Sequence, residues 1–199
     1  MQPAKNQIVK IFYDLETTGG AARKHGIHNL AGIVEVDGEV VEEFDYKVQP
    51  NPKAQISPEA MTVGNITPEI ITCYPPMGQV FKKFTTLLNK YVNPYEPKSK
   101  AYLVGFNNRG FDDIFLRAWF DQNGNAFYGA YFWTDSLDVM VLAAQYLIDR
   151  RANMPSFKLK RVALELGIEV EQDKLHGAGY DVYLTREIYR IVTGLEVEI

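Results

Sequence analysis

Cysteine is nearly missing from this chain: among 199 residues only Cys73 is one. An internal disulfide and a cysteine-built zinc cluster are both excluded, which fits a reducing compartment. No apolar run approaches the length of a membrane span, and no charged leader followed by an apolar core opens the sequence. Cytoplasmic residence without a membrane partner is therefore the expectation. A basic excess is also lacking. With a net charge of −4, the chain does not look like a protein that grips long duplexes through phosphates, and any affinity for nucleic acid has to come from metals or partners. Glycine–serine tracts and acidic tails are absent too, so disorder has no compositional basis.

What remains is ordinary globular material, 46% hydrophobic and 23% charged, enough for one well-buried domain over residues 1–199. Ile8 to Asp14 reads as an apolar first strand. His28 to Val36 and Val40 to Val48 flank Asp37-Gly38, the signal for a two-residue hairpin, and give two antiparallel strands. Pro50, Pro52, Pro58, Pro68, Pro75 and Pro76 mark a long irregular connection with short helices near Pro58 and Pro68. Met77, Val80, Phe81, Phe84, Leu87, Leu88 and Tyr91 follow helical spacing. A strand is expected over Ala101 to Phe106, then helices over about 110–121, 136–150, 158–166 and 181–193. This order predicts one α/β domain with a mixed sheet, its first three strands antiparallel, and helices on its faces.

The chemistry starts at the end of the first strand. Asp14 and Glu16 point the same way, about 6.5 Å apart, with Leu15 turned into the opposite layer. Carboxylates that close repel unless a cation joins them, and oxygen-only ligands suit magnesium or manganese. Asp112 falls in a first helical turn just beyond a strand's carboxyl end, where α/β sheets place ligands and the helix dipole favours an anion. Asp113 is the alternative, about 100° round the helix. Near the carboxyl end, His176 and Asp181 are too far out of phase to face one site on a continuous helix. Gly177 and Gly179 are expected to break it, leaving His176 on a loop and Asp181 on the helix, an arrangement suited to a mobile general base.

Taken together these motifs resemble the DEDDh group of the DnaQ-like exonuclease superfamily. The resemblance rests on Asp14-x-Glu16 with Thr17-Thr18-Gly19, on Asn108-x-x-x-Asp112 containing Phe111, and on His176-x-x-x-x-Asp181. It includes Asp37 to Val41, Ile56 to Ala60, Ile66-Thr67 and Thr134 to Met140, all in family order from about Ile8 to Val192. Gly105 to Asp113 and Ser156 to Lys160 look most like the bacterial exonuclease I and polymerase III epsilon branches. The resemblance implies a ribonuclease H-like fold and a metal-dependent 3′-5′ exonuclease releasing nucleoside monophosphates from DNA ends, with an RNA-directed enzyme or a silent nucleic-acid-binding module as alternatives. It implies Asp14, Glu16, Asp112 and Asp181 as ligands of two divalent ions, Mg²⁺ or Mn²⁺, with His176 as the base. Leu15, Thr17, Thr18, Gly19, Asn108 and Phe111 would contact substrate. The implied partner is a nucleic-acid 3′ end, with a second copy or a polymerase as a further possibility.

Several residues depart from or add to the pattern. Gly20 replaces a larger apolar residue common in the family, and Phe106 replaces a histidine, its simplest role being core. Arg23, Lys24, His25 and His28 read as a loop within reach of phosphate. Arg150, Arg151, Lys158, Lys160 and Arg161 form a basic stretch that either tracks a single strand or is a solvated face. Tyr13, Tyr180 and Trp119 read as core.

Overall fold

The computed structural model describes residues 7–171 and 177–195. Strands β1 (Val9–Thr17), β2 (Ile27–Val36) and β3 (Glu39–Lys47) form an antiparallel meander. Short helices α1 (Pro58–Val63) and α2 (Pro68–Thr72) interrupt the proline-rich connection to α3 (Met77–Tyr91). Then come β4 (Ala101–Gly105), α4 (Asp112–Gln122), α5 (Tyr128–Tyr131), β5 (Leu137–Asp138), α6 (Val139–Tyr146), α7 (Leu159–Glu165) and α8 (Ala178–Val192). The sheet order is β3-β2-β1-β4-β5, with β4 parallel to β1 and β5 parallel to β4. This is the mixed, helix-flanked sheet expected from the element order, and it matches the ribonuclease H-like fold that the family resemblance implies.

The period-two alternation of β1 divides the core into two layers. Ile11, Tyr13 and Leu15 face a layer built with Phe81, Phe84 and Leu88 of α3 and Phe115, Trp119 and Phe120 of α4. Phe12 faces the other, with Ala143 of α6, Val162 of α7 and Val182, Leu184 and Ile188 of α8. Asp14 and Glu16 continue the Phe12 side. They thus end a strand that is buried on both faces, on the side covered by α8.

Helix α8 is clamped to the sheet by charge as well as by packing. Glu35 of β2 is only 3% exposed, accepts a hydrogen bond from Arg186 Nε at 2.7 Å and has Lys10 Nζ at 3.6 Å. Two cations therefore offset one buried carboxylate, the condition under which such burial is tolerated.

Three boundaries differ from the sequence reading. Leu137-Asp138 pairs with Val104-Gly105 instead of opening a helix, and Asp138 then caps α6 by accepting from Met140 N at 3.0 Å. Helix α5 had no apolar period to announce it; Tyr128 and Tyr131 pack as an aromatic cluster on Phe120. Helix α8 starts at Ala178, so the break falls at its N-cap Gly177 alone. Gly179 lies inside the first turn, and Asp181 is in that same turn.

Candidate active site

Three elements bring four carboxylates to one end of the sheet. Register places Asp14 opposite Ala31 and Glu16 opposite Asn29. Asp112 opens α4, and its carboxylate accepts the backbone amides of Leu15 and of its own residue. Helix α4 is thereby tied to β1 between the two strand acids. Asp181 approaches from α8, close enough for its charge to act on both Asp14 and Glu16.

The electrostatics show Asp14, Glu16 and Asp112 raised by burial and by neighbouring acids. Asp14 is pushed well above the carboxylate range, first by burial and then by Asp112, Glu16 and Asp181. Glu16 rises to about 7 through burial and Asp181, with Lys47 opposing. Asp112 rises to about 8 through burial, with Asp113 and Glu16 adding and the two amides opposing. A donor set of hard oxygens whose ionised forms destabilise one another fits hard divalent ions, since a bound cation inverts the penalty. Among the described residues no three such side chains already stand at ligating spacing.

A fifth carboxylate holds this geometry. Asp113 accepts hydrogen bonds from Tyr13 Oη, from Ser136 Oγ and, at 3.2 Å, from Asn108 Nδ2. The donors come from β1, from the segment before β5 and from the turn before α4. Asp113 therefore locks the start of α4 to the sheet while its neighbour Asp112 faces the other acids. Gly105 permits the close approach: a Cβ there would lie 2.7 Å from that of Asn108.

The substrate-contact set divides. Leu15 is buried at 5% exposure in the α3-side core, so its side chain is turned away from the acids and only its amide reaches Asp112. Thr18 is fully buried; its hydroxyl donates to Gln55 O and accepts from Gly26 N. Asn108 is fully buried with its amide on Asp113 and its Oδ1 without a partner. These three shape the site from behind. Thr17, half-buried, donates to Gly19 O at 3.0 Å. Gly19 lies under His25, whose imidazole would come within 2.4 Å of a Cβ at that position. Phe111, half-buried, packs on Phe115 at 4.9 Å. His176 lies outside the described residues.

Among the secondary signals, the loop reading of His28 is corrected. It belongs to β2, is 4% exposed, and is lowered to about 4 by burial and by Lys47. It is neutral near pH 7 and offers phosphate no charge. Arg23 and Lys24 are exposed. Phe106 packs against the α8-side core and Trp119 is buried, both as read. Tyr13 is also buried, but its hydroxyl serves Asp113, a role its apolar surroundings concealed. In the basic stretch, Arg161 pairs with Glu165 and Arg151 lies over the Phe157 ring. Sequence reasoning missed Asn29, which stands opposite Glu16, accepts from Lys47 Nζ at 2.8 Å and donates to Asp45. A polar residue on the buried strand β2, in register with an acid, was the available signal.

Comparison with known proteins bears on the family and the fold. The exonuclease family model RNase_T matches residues 11–189. The chain is 26% identical over 175 residues to DNA polymerase III PolC-type of Bacillus cereus, and 26% identical over 180 residues to that of Clostridium perfringens. These matches cover 88% and 90% of this chain but 11% of each relative, so the chain spans about a tenth of their length. Exonuclease I of E. coli in complex with a dT13 oligonucleotide superposes with a TM-score of 0.75 at 24% identity, over 94% of this chain and 41% of that one. The zinc-bound form of the E. coli ExoI–ssDNA complex gives a TM-score of 0.75 at 24% identity, over 96% and 41%. No helix of the described residues is long and apolar enough to cross a membrane. A family model that spans nearly the whole sheet and its helices leaves one conclusion: the chain belongs to the RNase_T exonuclease family, with the fold of the DnaQ-like 3′-5′ exonucleases.

Proposed function

We propose that this domain is a metal-dependent 3′-5′ exonuclease that hydrolyses the terminal phosphodiester of single-stranded or frayed DNA and releases nucleoside 5′-monophosphates. The observation that supports this most is the set of four carboxylates, from β1, α4 and α8, in which Asp112, Glu16 and Asp181 each raise the pKa of Asp14. Asp14, Glu16, Asp112 and Asp181 would hold two divalent ions between them. When bound, such a pair supplies an activated water and charge stabilisation for an in-line displacement.

The chain's own groups do the rest. His176 orients and deprotonates the attacking water, a task suited to an imidazole near neutral pH. Thr17 and Gly19 border the seat of the terminal nucleoside, with Thr18 buried behind them. Asp113, with Tyr13, Asn108 and Ser136, keeps Asp112 directed at the site. The PolC-type relatives, which are DNA polymerases by name, and the oligonucleotide complex of exonuclease I favour DNA over RNA.

The test is incubation with 5′-labelled single-stranded DNA, duplex DNA and RNA of matched sequence, with Mg²⁺, Mn²⁺ or chelator. A stepwise, chelator-sensitive ladder on single-stranded DNA that disappears in Asp14→Asn is the expected result. A ladder on RNA alone reassigns the substrate, and no product on any strand overturns the reading.

A further inference from the structure

Cross-strand register runs from Glu16 to Asn29 and from Asn29 to Lys47. Lys47 thus lies on the same face as Glu16, two strands across, about 10 Å away at ordinary strand spacing. Its Nζ leans back along this row to Asn29 Oδ1 at 2.8 Å. Lys47 also lines an open groove of about 670 Å³ between β3 and α3. Because β3 is the outer strand of the sheet, the groove leads from the catalytic face round the sheet's edge.

The opposite wall is a basic stripe. Gln79, Lys82, Lys83, Thr86 and Lys90 line the groove from α3. Their spacing of three, four, seven and eleven residues keeps them on one helical face. The whole of α3, Met77–Tyr91, contains no acid, whereas a face that merely meets solvent mixes both signs. The groove therefore sets Lys47, Lys82, Lys83 and Lys90 against Glu42 and Asp45, a local excess of positive charge in a chain of net charge −4. Asp45 and Glu42 pair with Lys47 at 3.5 Å and Lys90 at 2.8 Å. Lys82 and Lys83 have no ion pair among the described residues. Lys83 is held 4.2 Å over the Tyr46 ring, so its position is set before any ligand arrives.

We infer that this groove carries the backbone of a single-stranded nucleic acid on the 5′ side of the reacting phosphate, with Lys82 and Lys83 as phosphate contacts and Lys47 as the link to the acids. The inference rests on the exonuclease reading for the direction of the strand. Charge complementarity selects a polyanion, and continuity through Lys47 with the catalytic face selects the substrate over an acidic protein. A stripe this short gives few contacts, in keeping with an acidic protein of modest affinity.

The experiment compares wild type with Lys82→Ala/Lys83→Ala. Affinity for a labelled long oligothymidylate and for a dinucleotide is read by anisotropy across a salt series in Ca²⁺. Turnover of a p-nitrophenyl ester of a nucleoside 5′-monophosphate is read in Mg²⁺. Loss of two contacts should lower long-strand affinity about tenfold at low salt and flatten its log–log salt slope by roughly 1.4. The ratio of long-strand to ester turnover should fall in step. Lys82→Glu should deepen the loss, and unaltered thermal melting excludes misfolding. Unchanged long-strand affinity and slope overturn the inference, as does equal weakening of dinucleotide and long strand. Binding of a polyglutamate peptide that the double variant loses, with oligonucleotide affinity unaltered, assigns the groove to an acidic partner instead. Failure of wild type to hydrolyse the ester would count against the exonuclease reading alone, because strand binding is measured separately.

Discussion

Asp113 accepts the phenolic hydrogen of Tyr13, and this contact helps join the first turn of α4 to the strand that carries Asp14 and Glu16. Asp113→Ala leaves Tyr13 Oη, Asn108 Nδ2 and Ser136 Oγ without their shared acceptor. Each stranded buried donor costs on the order of 1 kcal/mol, so unfolding free energy should fall by about 2–3 kcal/mol in urea. Asp113→Asn, which keeps an acceptor oxygen, should recover part of that. If the contact also positions Asp112, activity at saturating Mg²⁺ falls further than stability alone explains in Tyr13→Phe.

Removing one of the crowded acids should have opposite effects on stability and activity. Asp14→Asn relieves repulsion from Asp112, Glu16 and Asp181. Without metal the variant should be more stable than wild type by about 1 kcal/mol, the usual signature of a site strained for function. Its nucleotide release should drop by at least about a thousandfold. Chemical denaturation in chelator and a turnover assay check the two halves.

The same crowding gives a pH dependence. Glu16 and Asp112 have folded pKa values of about 7 and 8, raised from 4.5 and 3.8. Between those limits the folded chain binds more protons than the unfolded one, so stability falls as pH rises. The contribution is complete below about pH 4 and gone above about pH 8. Metal-free protein should therefore lose on the order of 1 kcal/mol or more across this window, and saturating Mg²⁺ should flatten the curve. Metal binding near pH 7 should release protons, measurable by calorimetry in buffers of different ionisation enthalpy.

Arg186→Met leaves Glu35 buried beside Lys10 alone. Breaking such a pair from one side costs about 3–5 kcal/mol. Because Arg186 and Asp181 share α8, the loss should loosen both docking and metal affinity, seen as faster amide exchange in α8 and weaker Mn²⁺ binding.

Gly19→Ala drives a methyl into the His25 ring, within 2.4 Å, at a φ of +156° that side chains rarely adopt. A loss of about 1–3 kcal/mol is expected. Adding His25→Ala should return the steric part and leave the backbone part, so a double-mutant cycle separates them.

The sequence made the acids legible because each sits at a local signal: a strand end for Asp14 and Glu16, helix starts for Asp112 and Asp181. The meander and α3 were legible through strict periodicity. What escaped depended on contacts remote in sequence. Leu137-Asp138 becomes a strand only because Val104-Gly105 lies beside it. Asp113 and Ser136 are 23 residues apart and Tyr13 is 100 from Asp113, so nothing local reveals their shared role. His28, read both as the start of a strand and with the basic loop before it, proves to be buried within β2. Gly177 and Gly179 suggested a break of uncertain place; the helix accepts Gly179 because a terminal turn costs little to form around it.

The alternation along β1 has a consequence for how this domain can change. Tyr13 and Leu15 serve one layer of the core while Asp14 and Glu16, interleaved with them, face the other. Candidate catalytic groups and core-forming groups are thus threaded on a single ribbon, with no spacer between them. An insertion or deletion of one residue there would send the carboxylates into the aromatic core and the aromatics toward the acids. Drift in this strand is confined to substitutions, and folding and chemistry are inherited as one unit.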